Sequence, residues 1–265
     1  MAPPIIILGM HRSGTSLFSQ WLSLSGLNLG DDLYGASEFN PYGYYEDCDF
    51  IHLHKALLES HQSCVSGHEL PLQIGEFSEA ELEFAKSVLK KKGGNRVWGW
   101  KEPRTCLFLP LYRQLIPKAK YVIVVRNYES IIASLVNRER FKQSRLLGLF
   151  ARFGAERILR NWYRWRFNDY YAKIVNYYFS CLVSHCHQVQ KDSIVINLDE
   201  LVTNSDVEKK RISGFLPDLD FVDFEKVYDG SVMSLSKGSS FINKKTRSSL
   251  EENFRALIEL SKKNG

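Results

Sequence analysis

The sequence has few of the features that mark secreted, metal-binding or membrane-spanning chains. Its five cysteines are scattered without a C-x-x-C pair, so neither a disulfide framework nor a zinc site is expected. His52 and His54, like His185 and His187, are two residues apart and would diverge on a helix, which disfavours a metal pair. No apolar run approaches the ~18 residues that a membrane span requires. These absences favour a cytoplasmic chain without a metal centre or a membrane span.

The N-terminus is not expected to be a signal peptide, because no basic segment precedes its short apolar run at residues 3–8. The net charge of +5, from 35 basic and 30 acidic residues, suits an anionic ligand without indicating nucleic acid. The sequence shows no internal repeat, low-complexity tract or linker. Its 265 residues therefore predict one domain over residues 1–265.

Apolar and helical patterns alternate along the chain. Continuous apolar runs predict buried strands at residues 5–8, 97–100, 121–125 and 193–198. Helical periodicity predicts helices at residues 15–25, 47–61, 78–91, 130–140, 156–187 and 246–262. The segment 156–187 exceeds the usual helix length, so a break within it stays an open alternative. Strands that alternate with helices predict an α/β fold with a central parallel sheet flanked by helices.

A phosphate-binding turn is predicted directly after the first strand, at residues 9–16. Gly9 permits a sharp turn, and Gly14 permits a close approach of the backbone to a ligand. The helix that begins near Thr15 points its free N–H groups and its dipole at this loop, and Arg12 adds a permanent cation. The candidate ligands are Gly9, His11, Arg12, Ser13, Gly14, Thr15 and Ser16. The alternative is an ordinary glycine-containing turn between a strand and a helix.

The loop has the G-x-x-x-x-G spacing of a P-loop NTPase but departs from that pattern at two places. Thr15 stands where the lysine is required, and Arg126 ends the strand at 121–125 where a magnesium-binding acid is expected. These departures disfavour a magnesium-dependent enzyme. A P-loop kinase or NTPase-like phosphotransferase stays the first alternative.

A second anion site is predicted at Arg126 and Ser134. Arg126 lies at the carboxyl end of a buried strand, where open α/β sheets bind ligands. Ser134 lies eight residues further on, at a position that faces the crevice if Ile131 and Leu135 pack inward. Arginine and serine together can hold a phosphate. The alternative is a surface arginine and a helical serine.

Together these segments resemble the PAPS-dependent sulfotransferase family, where PAPS is 3′-phosphoadenosine 5′-phosphosulfate. Residues 12–16 read R-S-G-T-S and match the family's 5′ loop, [K/R]-S-G-T-[T/S]. Residues 124–134 match its 3′-phosphate element, V-x-R-[D/N]-P-x(5)-S, with Tyr128 in place of proline.

A bacterial branch of that family has further matching segments in the same order. Residues 9–16 read G-M-H-R-S-G-T-S and residues 40–46 read N-P-Y-G-Y-Y-E. Residues 98–104 read W-G-W-K-E-P-R, where Glu102 replaces the branch's usual aspartate. Residues 198–201 resemble its Y-E-D-L strand end, with Leu198 in place of tyrosine, and F-L follows at 215–216. The resemblance covers residues 5 to about 216.

The resemblance implies a three-layer P-loop-like fold and the in-line transfer of sulfonate from PAPS to an acceptor hydroxyl on a carbohydrate or small metabolite, without a metal. The product would be PAP, 3′-phosphoadenosine 5′-phosphate. Arg12 and the loop would hold the 5′-phosphosulfate, and Arg126 with Ser134 the 3′-phosphate. Lys101 and Arg104 could reach the sulfonate or an anionic acceptor, or could instead belong to a salt-bridged strand end with Glu102.

The acceptor hydroxyl needs a general base. Glu46 is the first candidate, and its alternative role is that of an acid at a helix start. The other candidates are His11, His52 and His54, followed by Glu38 and His68. Residues 237–238 weakly resemble the family's late 3′-phosphate loop. A non-catalytic PAP- or nucleotide-binding relative stays the second alternative, because Tyr128 and Leu198 depart from the family pattern.

Overall fold

The computed structural model describes residues 3–36, 40, 43–93, 97–147, 156–228 and 241–263, with the backbone alone for 140–147, 156–161, 163 and 164. Its four strands are β1 (Ile5–Leu8), β2 (Gly99–Lys101), β3 (Lys120–Val125) and β4 (Ser193–Asn197). The helices are α1 (Thr15–Leu24), α2 (Cys48–Ser60), α3 (Glu79–Lys91), α4 (Leu109–Leu115), α5 (Tyr128–Leu147), α6 (Glu156–Gln188), α7 (Leu198–Thr203), α8 (Ser205–Phe215) and α9 (Lys244–Lys263).

The strands form one parallel sheet in the order β2-β1-β3-β4. Successive residues of β1 point to opposite faces, so that Ile6 and Leu8 enter one hydrophobic core while Ile5 and Ile7 enter the other. Helices α2 to α6 and α9 contribute to the first core, and α1, α7 and α8 contribute to the second. The predicted α/β fold with a helix-flanked parallel sheet is confirmed.

The order of the strands determines where a ligand can bind. The chain leaves β1 toward β2 on one side and later returns to β3 on the other side of β1. A crevice opens where strand order reverses in this way, beyond the carboxyl ends of the strands. The loop after β1 and the residues after β3 meet at this crevice.

The element boundaries differ from the predicted ones where a cap or a close backbone contact decides them. Helix α5 begins at Tyr128, earlier than predicted, because the Asn127 side chain accepts a hydrogen bond from the Glu129 N–H at 2.9 Å. Strand β4 ends at Asn197, which caps α7. Strand β2 begins at Gly99, whose backbone lies directly against Ile5, and includes Lys101.

Helix α6 runs for 33 residues without interruption, so the alternative of a break was wrong. It packs across α5 and α9. Tertiary packing along its length stabilises a helix longer than the average globular one. None of the helices in the described part of the chain is long and apolar enough to cross a bilayer.

Candidate active site

The loop after β1 folds tightly over the end of the sheet. The Ser13 N–H donates to the Met10 carbonyl at 3.0 Å, and Gly14 has a left-handed φ of 83° as α1 begins. A side chain at Gly14 would collide with Leu198, so glycine is required for both conformation and space. The first N–H groups of α1 have no partners within the helix and point into the crevice.

Two polar atoms of the loop are buried without a hydrogen-bond partner, the Ser13 hydroxyl and His11 Nε2. Burial, and then the neighbouring His68, lower the His11 pKa well below its ordinary value, so the imidazole is neutral. The His11 and His68 rings lie edge to face with centroids 5.0 Å apart. Unpartnered buried polar atoms are rare and fit a ligand that supplies the missing contacts.

Arg12 connects the loop to α5. Its Nε donates to Ser134 Oγ at 2.9 Å, although 122 residues separate the two in the sequence. Arg126 follows β3 and donates through Nη1 to the Arg12 carbonyl at 3.5 Å. Burial lowers the pKa of Arg12, and Arg138 adds to this effect. The structure therefore brings the predicted ligands of both anion sites together.

A buried ion pair occupies the end of β2. Lys101 Nζ donates to Glu46 Oε1 at 2.7 Å and lies 3.4 Å from Ser16 Oγ. Both residues are largely buried, with 1% of Lys101 and 8% of Glu46 exposed. Burial raises the Glu46 pKa above its ordinary value, although Lys101 opposes this effect. The N-cap of α2 is Asp47, whose side chain accepts from the Asp49 N–H, so Glu46 lies one residue before the cap and pairs with Lys101.

Arg104 is fixed by a chain of buried polar groups. Its Nε donates to Glu102 Oε1 at 2.8 Å, and its Nη1 donates to the Val65 carbonyl at 3.0 Å. Burial would raise the Glu102 pKa, but Arg104 and His54 outweigh it and lower that pKa to about 2. His54 Nδ1 therefore donates to the Glu102 carboxylate, and the Tyr112 hydroxyl donates to His54 Nε2 at 2.7 Å. The predicted Glu102 salt bridge exists for Arg104 but not for Lys101.

These groups surround a cavity of about 360 Å³. Of the sequence-derived candidates, its lining includes His11, Arg12, Gly14, Thr15, Ser16, Glu46, His68, Lys101, Arg104 and Arg126. Gly9, Ser13 and Ser134 lie outside this lining, and the Gly9 N–H already donates to Cys106 Sγ at 3.3 Å. Glu38 and residues 237–238 lie outside the described residues.

Two of the candidate bases do not face the cavity. His52 is exposed on α2, and His54 is buried and bound at both ring nitrogens. Lys55 and Arg138 also line the cavity and are not among the residues predicted from the sequence. Helical spacing could have indicated both residues, because residues four apart lie on the same face of a helix. Lys55 follows Ile51 by four residues, and Arg138 follows Ser134 by four. Within the described part of the chain, no group of three or more His, Cys, Asp or Glu residues could hold a metal ion.

Comparison with known proteins gives a family match and several similar folds. A model of the sulfotransferase family matches residues 3–221, most of the chain. A sulfotransferase from Mycobacterium avium, STF9, superposes with a TM-score of 0.55 at 13% identity, over 97% of this chain and 76% of that one. The sulfotransferase domain of the Synechococcus PCC 7002 olefin synthase gives 0.50 at 17% identity, over 98% and 94%.

Comparison with curated protein sequences gave no match. The likeness to the solved structures supports the fold, a three-layer P-loop-like α/β sandwich. The family match rests on the sequence itself and extends from β1 to beyond α8. The chain therefore belongs to the sulfotransferase family.

Proposed function

We propose that this protein transfers a sulfonate group from PAPS to the hydroxyl of a carbohydrate or small-metabolite acceptor and releases PAP. The observation that carries the proposal is the contact of Arg12 with Ser134, which joins the loop after β1 to α5 beside Arg126. Two anion sites then share one cavity. A nucleotide with phosphate groups at both its 3′ and 5′ positions fits this pair, whereas ATP has no 3′-phosphate.

The residues present fit such a donor. The first-turn N–H groups of α1, the Ser13 hydroxyl and Arg12 offer hydrogen bonds to the 5′-phosphosulfate. Arg126 lines the cavity and offers two parallel N–H groups to the 3′-phosphate, while the Ser134 hydroxyl, outside the lining, holds Arg12 beside it. Leu17, Gln20 and Val227 line the same cavity and could contact the nucleoside.

Sulfonate transfer needs positioning and charge neutralisation more than covalent chemistry from the protein. The acceptor oxygen forms a bond to sulfur, and the bond from sulfur to the bridging phosphate oxygen breaks. In this proposal, Lys101 and Arg12 neutralise the charge that develops on the leaving phosphate. The acceptor proton passes to a base, for which Glu46 is the first candidate.

Glu46 and His11 are the two bases that the cavity favours. Glu46 has a raised pKa and contacts Lys101, which could move from the carboxylate to the donor when the donor binds. His11 is neutral and has an unpartnered Nε2. His68 lines the same wall and stays a third candidate.

We also propose that residues 1–265 form one domain. The five free cysteines fit a cytoplasmic location, where thiols stay reduced. The proposed reaction requires no metal. A non-catalytic PAP-binding relative and a P-loop phosphotransferase are the rival functions. Each rival predicts a different result in the same pair of measurements.

Calorimetric titration with PAP in the presence of EDTA, compared with ATP and Mg²⁺, tests the donor. PAP should bind without magnesium, and binding of ATP with Mg²⁺ alone would overturn the proposal. Transfer of ³⁵S from labelled PAPS to a panel of glycans, phenols and hydroxy acids tests catalysis. Glu46→Gln should lose most of that transfer but keep PAP affinity. PAP binding without transfer to any acceptor would favour the non-catalytic relative.

A further inference from the structure

The cavity carries more positive charge than the proposed donor site uses. Its lining includes Arg12, Lys55, Lys101, Arg104, Arg126 and Arg138, and among the described lining residues Glu46 is the one carboxylate. Arg12 and Arg126 are assigned to the two ends of the donor, and Lys101 contacts Glu46. Arg104 and Lys55 have no contact with the donor in that assignment.

Arg104 is built to present a hydrogen-bond donor to the cavity. It is 6% exposed, and Glu102 and the Val65 carbonyl engage its Nε and Nη1. Its Nη2 makes no hydrogen bond within the described part of the chain, and the residue lines the cavity. Gly67 packs against the Arg104 stem so closely that a side chain there would collide with it. The guanidinium is therefore fixed in place before any ligand binds, which reduces the entropy cost of binding.

Lys55 provides a second cation along the wall formed by α2. It lies one helical turn after Ile51, which also lines the cavity, and about 6 Å further along the helix axis. The Lys55 side chain is exposed and forms no ion pair with any described residue. A charge in this position can contact a ligand that extends from Glu46 along α2.

We propose that the acceptor is an alcohol that also bears an anionic group, a carboxylate or a phosphate, and that Arg104 and Lys55 bind this group. The inference rests on the proposed function, since it places the acceptor beside Glu46. An anionic acceptor must approach a donor that is itself highly charged. Fixed cations at the acceptor end offset that repulsion and select against neutral alcohols.

The inference is tested by comparing the affinities of three methyl glycosides that differ only at carbon 6 of the sugar ring, each titrated into the PAP-saturated protein. They are methyl β-D-glucoside, methyl β-D-glucuronide and methyl β-D-glucoside 6-phosphate, titrated by calorimetry. At least one of the charged sugars should bind about fivefold or more tightly than the glucoside, as expected for one partly exposed ion pair. The advantage should shrink as salt is raised. Carboxylate and phosphate are distinguished by which charged sugar binds more tightly.

Lys55→Gln should remove about fivefold of the affinity for the preferred charged sugar and change glucoside binding little. Lys86→Gln is the matched control, because Lys86 is an exposed lysine on α3 that pairs with Glu83. The inference is overturned if neither charged sugar binds more tightly than the glucoside, or if Lys55→Gln and Lys86→Gln behave alike. Because PAP affinity is measured first, its absence would refute the proposed function, whereas PAP binding without anion preference refutes only this inference.

Discussion

Replacement of Arg126 with glutamine tests whether the cavity distinguishes nucleotides by their 3′-phosphate. Arg126 is 8% exposed at the end of β3 and donates to the Arg12 carbonyl. Burial lowers the Arg126 pKa from its ordinary value of 12.5, and the nearby Asp199 opposes that effect. Because an arginine stays protonated near neutral pH, a full positive charge at a largely buried position is available to the proposed 3′-phosphate.

The size of the effect follows from this environment. A hydrogen bond to a charged group contributes roughly 1.5–3 kcal/mol. The loss should therefore weaken PAP binding by about 10- to 150-fold. Asp199 adds to the loss, since its negative charge would no longer be offset by the guanidinium of Arg126. Adenosine 5′-phosphate has no 3′-phosphate, so its affinity should change by about twofold or less.

The assay is calorimetric titration of the wild-type and Arg126→Gln proteins with PAP and with adenosine 5′-phosphate. Arg126→Lys keeps the positive charge but loses the bidentate hydrogen bonding of a guanidinium, so its PAP affinity should lie between those of the wild type and Arg126→Gln. Thermal melting of each variant without nucleotide reports whether the fold is intact. Equal loss of affinity for both nucleotides, or no loss for either, would refute the assignment of Arg126 to a 3′-phosphate.

Three further predictions concern the charges and the loop around this site. If Glu46 is the base, the rate of sulfonate transfer should rise as pH increases through a value above 4.5, because burial raises the Glu46 pKa and only the ionised carboxylate accepts a proton. The same dependence of rate on pH in Glu46→Gln would contradict this role. Because the Glu102 pKa is lowered to about 2 in the folded protein, the ionised carboxylate stabilises the fold at pH values above 4.5, and this stability is lost as pH falls toward 2. In urea unfolding at pH 7, Glu102→Gln should lower the free energy of unfolding by about 3 kcal/mol. A variant with the same stability and the same acid resistance as the wild type would contradict this prediction. Gly14→Ala should cost about 1–3 kcal/mol and weaken PAP binding; Leu198 is fully buried, so Leu198→Ala is itself destabilising, but in thermal melting the double variant should lose less stability than the sum of the two single losses, and strictly additive losses would contradict a collision between the Cβ added at position 14 and Leu198.

The sequence predicted the sheet well because buried parallel strands leave a simple signal. The run Ile5–Leu8 is entirely buried and matches β1 at both ends. Boundaries were missed where one side chain decides them. Asn127 starts α5 at Tyr128, and the register of β2 depends on Gly99 lying against Ile5, a contact between segments far apart in the sequence.

The candidate site was predicted as separate motifs rather than as a network. The loop and Arg126 were recognised from local context, but the contact of Arg12 with Ser134 spans 122 residues and no local pattern encodes it. Glu46 and Lys101 were each given a chemical role, whereas the structure shows them as each other's partner. The pairing of Glu46 with Lys101 depends on tertiary structure, which a single sequence does not reveal.

The missing lysine of the P-loop pattern is compensated in three dimensions. Thr15 stands at that position in the sequence, yet Lys101 reaches the loop from β2 and its Nζ lies 3.4 Å from Ser16 Oγ. Arg12 supplies the second cation from within the loop itself. A lysine on β2 can be held by Glu46 until the donor binds, whereas a lysine on the loop has no such partner beside it. In the proposed reaction this departure couples the cation at the donor phosphate to the candidate base Glu46, so that binding of the donor would release the carboxylate toward the acceptor hydroxyl.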